Sequence, residues 1–322
     1  MAVAETAPPR RARERFTVTP ETYRWFAYAA LGTLTLIIFS GAAVRLTGSG
    51  LGCSNWPRCE DSFVPPLETH TLIEFGNRLV TGVVGLPCIL AAVGAFRRRP
   101  FRRDLVVPAV LLPLGVLAQA ILGGLTVLLH LSWQVVIGHY LLSIVLLIAA
   151  VVLVWRVRRP ADAARPEHPR GIVRAVRALA VYGGYVIVAG TFATAAGPHA
   201  GGAGTGDHVA RLDAFGADTL RTLIHLHGHS ATAMGVALVA LWLYARRRGV
   251  SAQLQRALTV AALLMAAQGV LGLVQYHLAL PAEIVWAHAS LAAVLWSALV
   301  WAVLAAGQAA AIERSRPAAL AA

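Results

Sequence analysis

Apolar residues run along this chain in eight long blocks, broken by short polar stretches. A bilayer core of about 30 Å takes about 20 residues of apolar helix, at a rise of about 1.5 Å each. Eight segments reach that length: residues 23–44, 71–96, 105–129, 133–155, 174–195, 219–245, 257–278 and 283–310. The breaks are arginine-rich loops, Gly/Pro-rich loops and a few tight turns. The pattern predicts an all-α membrane protein with eight transmembrane helices.

Composition narrows the field. Of 322 residues, 57% are hydrophobic and only 13% charged. A soluble domain carries about a quarter charged residues, so a soluble globular enzyme is excluded. Disorder needs low hydrophobicity and is excluded for the bulk of the chain. Only the ends, 1–20 and 312–322, read as disordered.

All 28 basic residues are arginine, and the net charge is +13. Twenty-three of them lie in the stretch up to Arg24, in 97–103, 156–177 and 246–256, and in the C-terminal tail. Five (Arg45, Arg58, Arg78, Arg211 and Arg221) fall on the other side. Membrane proteins keep such an excess in the cytoplasm, so both termini are expected there, in a multi-pass protein of the cell membrane. The charge is read as topology, with no nucleic-acid partner. The first span follows a basic stretch, as a signal peptide does, but it is longer than an h-region and seven spans follow. It is read as uncleaved.

A repeat organises the spans. AQAILGGLTV, starting at Ala118, resembles AQGVLGLVQY, starting at Ala267, a step of 149 positions. The same step carries His139 to His288, Gly123 to Gly272, Gly41 to Gly190 and Gly48 to Gly197. A step of 150 carries Gly85 to Gly235, Arg97 and Arg98 to Arg247 and Arg248, and Asn77 to His227. Four spans is an even number, so both halves enter the membrane in one orientation. This predicts two parallel-repeat four-helix bundles about a pseudo-two-fold axis along the membrane normal. The domains are a cytoplasmic tail (1–22), a first bundle (23–156), a Pro-rich charged cytoplasmic linker (157–172), a second bundle (173–310) and a tail (311–322).

Ionisable groups inside a span are costly and mark functional sites. His288 and His227 lie about five and eight residues into their spans, roughly 8–12 Å below the outer surface; His139 sits similarly in the fourth. Histidines from different helices at one depth suit the two axial positions of a haem, with Gly123, Gly124, Gly269 and Gly272 leaving it room. A polar group bonded across a helix interface is the plain alternative for each. In LIHLHGHSATAMG, His225, His227 and His229 cannot all face one ion, because positions two apart point to different helix faces. The repeat favours His227. His70, His130, His199, His208 and His277 fall in or beside outer loops, and His168, in the linker, is expected to carry no chemistry.

Glu74 shares a helix face with Asn77 and Arg78. It is either half of an anchoring pair with Arg78 or a proton acceptor beside a buried substrate. Arg45 and Arg78, on the arginine-poor side, either snorkel to the interface or hold carboxylates such as haem propionates. Cys53 and Cys59 flank a short Trp-Pro turn on the oxidising side. They are disulfide candidates, as a structural staple or a redox-active pair. Cys88 reads as a small core residue.

Several motifs resemble the haem A synthase family of inner-membrane proteins: VRLTGSGLGCSNWPRC (residues 44–59), IEFGNR (73–78), GGLTVLLHL (123–131), GPHAG (197–201) and His288. The resemblance runs over roughly residues 24–303. It implies an oxidoreductase that converts the C8 methyl of haem O to a formyl group, giving haem A for cytochrome c oxidase. It implies a haem b cofactor held by His227 and His288 in the C-terminal half, and the substrate haem in the N-terminal half near His139, Asn77, Arg45 and Arg78. Glu74 matches the family's catalytic glutamate, and Cys53 and Cys59 its loop cysteines. Implied partners are haem O, membrane lipid, haem O synthase and the cytochrome c oxidase assembly machinery. A di-haem b-type membrane electron carrier is the alternative. One departure stands out: the family's histidine three residues after the glutamate is Asn77 here. Asparagine is a poor haem ligand, so the substrate haem is expected to be five-coordinate or ligated by another group such as His70 or water.

Overall fold

The computed structural model describes residues 17–59 and 64–309. The tails expected to be disordered lie outside the described residues, apart from 17–20. Eight helices are long and apolar enough to cross a membrane: α1 Pro20–Leu46, α2 Thr69–Arg97, α3 Arg103–Leu128, α4 Trp133–Val157, α5 Arg170–Ala196, α6 Thr219–Arg247, α7 Ala252–His277 and α8 Ala282–Ala306. The fold is the expected all-α, multi-pass membrane protein.

Two helix ends show the local chemistry that sets them. Thr19 caps α1, its hydroxyl accepting from Thr22 N at 3.2 Å, with Pro20 at the first helical position. α8 stops at Ala306, short of the expected 310. Gly307 follows at φ 65° and lies hard against the Pro166 carbonyl, where any side chain would collide.

Within each half, the first helix packs on the second and fourth, the second on the third, and the third on the fourth. Tyr23, Leu105, Leu112 and Leu147 centre one core, and Ile172, Met234, Leu238 and Leu258 the other. Leu79, Val83 and Leu86 on α2, and Leu114, Leu117 and Ile121 on α3, face outward, as lipid contact requires. α8 is the hub. It also packs on α1 and α4, where Trp286 Nε1 donates to Phe39 O at 2.8 Å and Trp296 Nε1 to Ile144 O at 2.9 Å. Trp296 is part-buried, where an indole N–H needs such a partner, whereas Trp286 is 39% exposed.

The two helical hairpins turn alike. His130 and Leu131 link α3 to α4 at φ 50° and 56°; Ala279 and Leu280 link α7 to α8 at 57° and 64°. L-residues rarely adopt such angles. Here Leu131 N donates to Thr126 O and Leu280 N to Gln275 O, each at 2.7 Å.

The linker is tied down. Glu167–His168 (β1) pairs in parallel with Gln308–Ala309 (β2). His168 is only 5% exposed. Its Nδ1 donates to Ala306 O at 3.0 Å, and its Nε2 accepts from Ser251 Oγ at 3.1 Å. Ser251 in turn caps α7 through Leu254 N. The residue expected to be idle is a structural clasp.

Candidate functional site

In the second half, α6 and α8 bring two imidazoles together. The ring centres of His227 and His288 are 6.1 Å apart, with planes at 83°. An imidazole nitrogen lies about 1 Å from its ring centre and a metal–nitrogen bond is about 2 Å, so rings on opposite sides of one ion have centres about 6 Å apart. His227 Nδ1 donates to Val186 O at 3.1 Å. That contact leaves Nε2 as the ligating nitrogen, the arrangement common in metal-bound histidines. His288 Nδ1 is buried with no hydrogen-bond partner. Buried polar nitrogens are seldom left so, and a bound group supplies one reason.

Each ring rests on a glycine of a neighbouring helix. A Cβ on Gly190 of α5 would sit 2.9 Å from His227 Cε1, and one on Gly272 of α7 would sit 3.4 Å from His288 Cε1. Small residues let backbones approach closely enough for this packing.

The first half repeats most of these parts. His139 on α4 rests on Gly123 of α3, whose Cβ would be 3.2 Å from its Cε1. Its Nδ1 is also buried without a partner. Gln119 Nε2 donates to His139 O at 3.0 Å, as Gln268 Nε2 does to His288 O at 3.1 Å. The position matching His227 differs. Asn77 Oδ1 accepts from Ser40 Oγ at 2.8 Å. Gly41, which matches Gly190, has nothing within 4 Å of where its Cβ would be. Of the four glycines expected to leave room, Gly123 and Gly272 receive imidazoles, Gly124 receives the Trp56 indole, and only Gly269 faces open space.

The outer rim of the first cleft is a pinned loop. A disulfide joins Cys53 to Cys59, with Cα atoms 4.7 Å apart. Glu74, 5% exposed, accepts from Cys53 N at 2.6 Å and from Arg78 Nη2 at 2.5 Å. Arg78 continues to the carbonyls of Asn55, at 2.9 Å, and Arg58, at 3.2 Å. The anchoring pair foreseen for Glu74 therefore exists, and it holds the disulfide loop. Trp56 in that loop covers Gly124.

The loops that follow α1 and α5 meet through glycines. Gly50 N donates to Gly201 O at 2.8 Å, and Gly204 N to Gly48 O at 3.1 Å. Arg45 crosses the same junction, donating from Nε to His199 O at 2.8 Å and from Nη2 to Thr194 O at 3.0 Å. His70 bonds Ser49 Oγ through Nδ1 at 2.8 Å and packs against Gly204. The structure gives it a loop contact through Nδ1. Of the three histidines on α6, His227 turns toward α8 while His225 and His229 are exposed.

Sequence reasoning passed over Gln119, Gln268, Gly190 as a ring support, and Ser40. A signal for the glutamines was present: the Ala-Gln pair heads both copies of the repeated motif.

The COX15-CtaA family, described as cytochrome oxidase assembly protein, matches residues 24–300. Among individual proteins, a "Heme A synthase" of Lysinibacillus sphaericus (strain C3-41) is 36% identical over 145 residues, 44% of this chain and 47% of its own length. Another of that name, from Halalkalibacterium halodurans, is 33% identical over 129 residues, 38% of this chain and 43% of its length. A third, from Geobacillus kaustophilus, is 29% identical over 132 residues, 40% of this chain and 42% of its length. The chain thus spans a little under half the length of these relatives.

Proposed function

We propose, because this chain belongs to the COX15-CtaA family of cytochrome oxidase assembly proteins, that it is a haem A synthase. On this reading it is an oxidoreductase of the cell membrane, with both termini cytoplasmic, that converts the C8 methyl of haem O to a formyl group. The observation that carries the reading is the pair of matched clefts, of which one has two facing imidazoles and the other one imidazole and Asn77. A permanent cofactor suits the first and a substrate that enters and leaves suits the second.

In the second half, His227 and His288 would hold haem b, which would supply a one-electron redox centre when bound. In the first half, His139 is the imidazole facing haem O. Glu74 would accept protons in the oxidation R–CH3 + H2O → R–CHO + 4 H+ + 4 e−, in which water supplies the formyl oxygen and an external electron acceptor takes the electrons. Asn77 with Ser40 leaves the opposite coordination position open. Arg45 and Arg78 stand at the outer rim as cations for the propionates. The disulfide loop, with Trp56 lying on α3, covers the rim of this cleft. The halves act as parallel repeats about an axis along the membrane normal, a reading supported by the like turns and like glycine supports. Haem O synthase supplies the substrate, and cytochrome c oxidase assembly consumes the product.

The test is expression with a haem O source, followed by haem extraction and chromatography. Haem b with newly formed haem A is the expected result. Haem O recovered unchanged beside haem b would contradict the enzyme, and two haem b per chain would point to the electron carrier.

A further inference from the structure

α6 carries a second pair of imidazoles on its other side. His225 and His229 lie one turn apart and exposed, with ring centres 5.9 Å apart. Each is two residues from His227, and so about 200° away around the helix. From α7, the Tyr276 ring lies 6.3 Å from that of His225, and the His277 ring 5.5 Å from that of Tyr276. Tyr276 and His277 end α7, so the group stands at the outer end of its span, within reach of the aqueous phase.

The other half shows what this surface needs merely to face lipid. The matching positions, at steps of 150 and 149, are Phe75, Leu79, Val127 and Leu128. All are apolar. Imidazoles on the outside of a span are costly unless something partners them.

We propose that His225 and His229 bind a divalent transition-metal ion of the zinc, copper or nickel class, with the Tyr276 hydroxyl and water filling the remaining positions. Histidines at i and i+4 chelate one ion from a single helix face. With bonds of about 2 Å, ring centres about 5–6 Å apart cover arrangements from tetrahedral toward linear, and 5.9 Å falls within that span. Imidazole donors select these metals over calcium and magnesium. Among the described residues no three His, Cys, Asp or Glu side chains converge, so the site is two-histidine with open positions. Arg221, one turn outward, and Asp218 beyond it are both exposed, and their formal charges cancel.

The test uses full-length, tag-free protein in nanodiscs, titrated with Zn²⁺ by calorimetry and with Cu²⁺ by electron paramagnetic resonance. One ion per chain with two-nitrogen coordination is expected. His225→Phe and His229→Leu, which install the other half's residues, should each weaken binding by more than the roughly tenfold typical of losing an outer-shell partner. The double variant should abolish binding, and Tyr276→Phe should weaken it less. Unchanged thermal unfolding and an unchanged haem spectrum show that the fold is intact. No saturable binding by the wild type, or wild-type binding by the double variant, overturns the proposal. Loss of haem from His225→Phe does so too, because it would move His225 into the cleft. A preparation that carries no haem but binds the metal would count against the proposed function and for this site.

Discussion

In the second half of the molecule, two imidazoles face each other at 6.1 Å, one of them tethered to Val186 O and each seated on a glycine. In the first half, the seat under His139 is the same, but the opposing position holds Asn77, bonded to Ser40. Ala189 stands where Ser40 has its match, buried and unable to make that bond. Two paired substitutions thus separate a cleft with two nitrogen donors from one with a single donor and a closed amide–hydroxyl contact. On the proposed function, the presence or absence of the second imidazole separates a cleft that retains a cofactor from one that releases a substrate.

The largest way to break this comparison is to remove an imidazole from the complete pair. His227→Ala or His288→Ala should leave no tightly bound haem b, read by the pyridine haemochrome spectrum. A low-spin bis-histidine spectrum persisting in His227→Ala would move the ligand to His225 or His229.

Glu74→Gln acts on the other cleft alone. It should keep haem b yet lower haem A formation by about a hundredfold or more, the usual weight of a proton-transferring group. Chromatography of extracted haem gives the answer. Wild-type haem A from this variant would reduce Glu74 to the loop anchor that its contact with Cys53 N already makes it.

Glycine substitutions sharpen the contrast at smaller scale. An alanine methyl at Gly190 would stand 2.9 Å from His227 Cε1, whereas at Gly41 it would meet open space. Gly190→Ala should cost about 1–3 kcal/mol in overpacking and lower haem b occupancy. Gly41→Ala should leave both thermal unfolding and haem content near wild type. Equal effects at the two positions would mean that the seat under His227 is no tighter than the space at Gly41, and the contrast between the clefts would fail.

The smallest expected change runs the other way. Asn77→His should raise the haem O or haem A that co-purifies, at constant haem b, because on the proposed function it offers the cleft around His139 a second donor. A rise in haem b instead would reverse the assignment of the halves.

The spans are legible in the sequence because a bilayer imposes length and apolarity on every crossing. The outward turn of His225 and His229 is legible too, since helical geometry alone sets them against His227. What escapes is what depends on contacts distant in sequence. His168 looks idle because its partners, Ser251 and Ala306, lie 83 and 138 positions away. The Glu74–Arg78 pair is visible at a spacing of four, but the bond from Cys53 N needs a loop path that no periodicity encodes. The early end of α8 is likewise set by Pro166, a neighbour only in space.

The tryptophan seam has a mechanical consequence. Trp286 and Trp296 fasten α8 to α1 and α4, and His168 fastens the linker to the start of α7 and the end of α8. A transporter that alternates access must let one half rock against the other. Rocking here would break both indole bonds and strain the clasp at the far end, at roughly 0.5–1.5 kcal/mol net for each hydrogen bond. The described residues are thus braced along the seam by two indoles and at one end by the His168 clasp. Any rocking of the halves would have to break these bonds, and the braces favour the separation of the two clefts seen here.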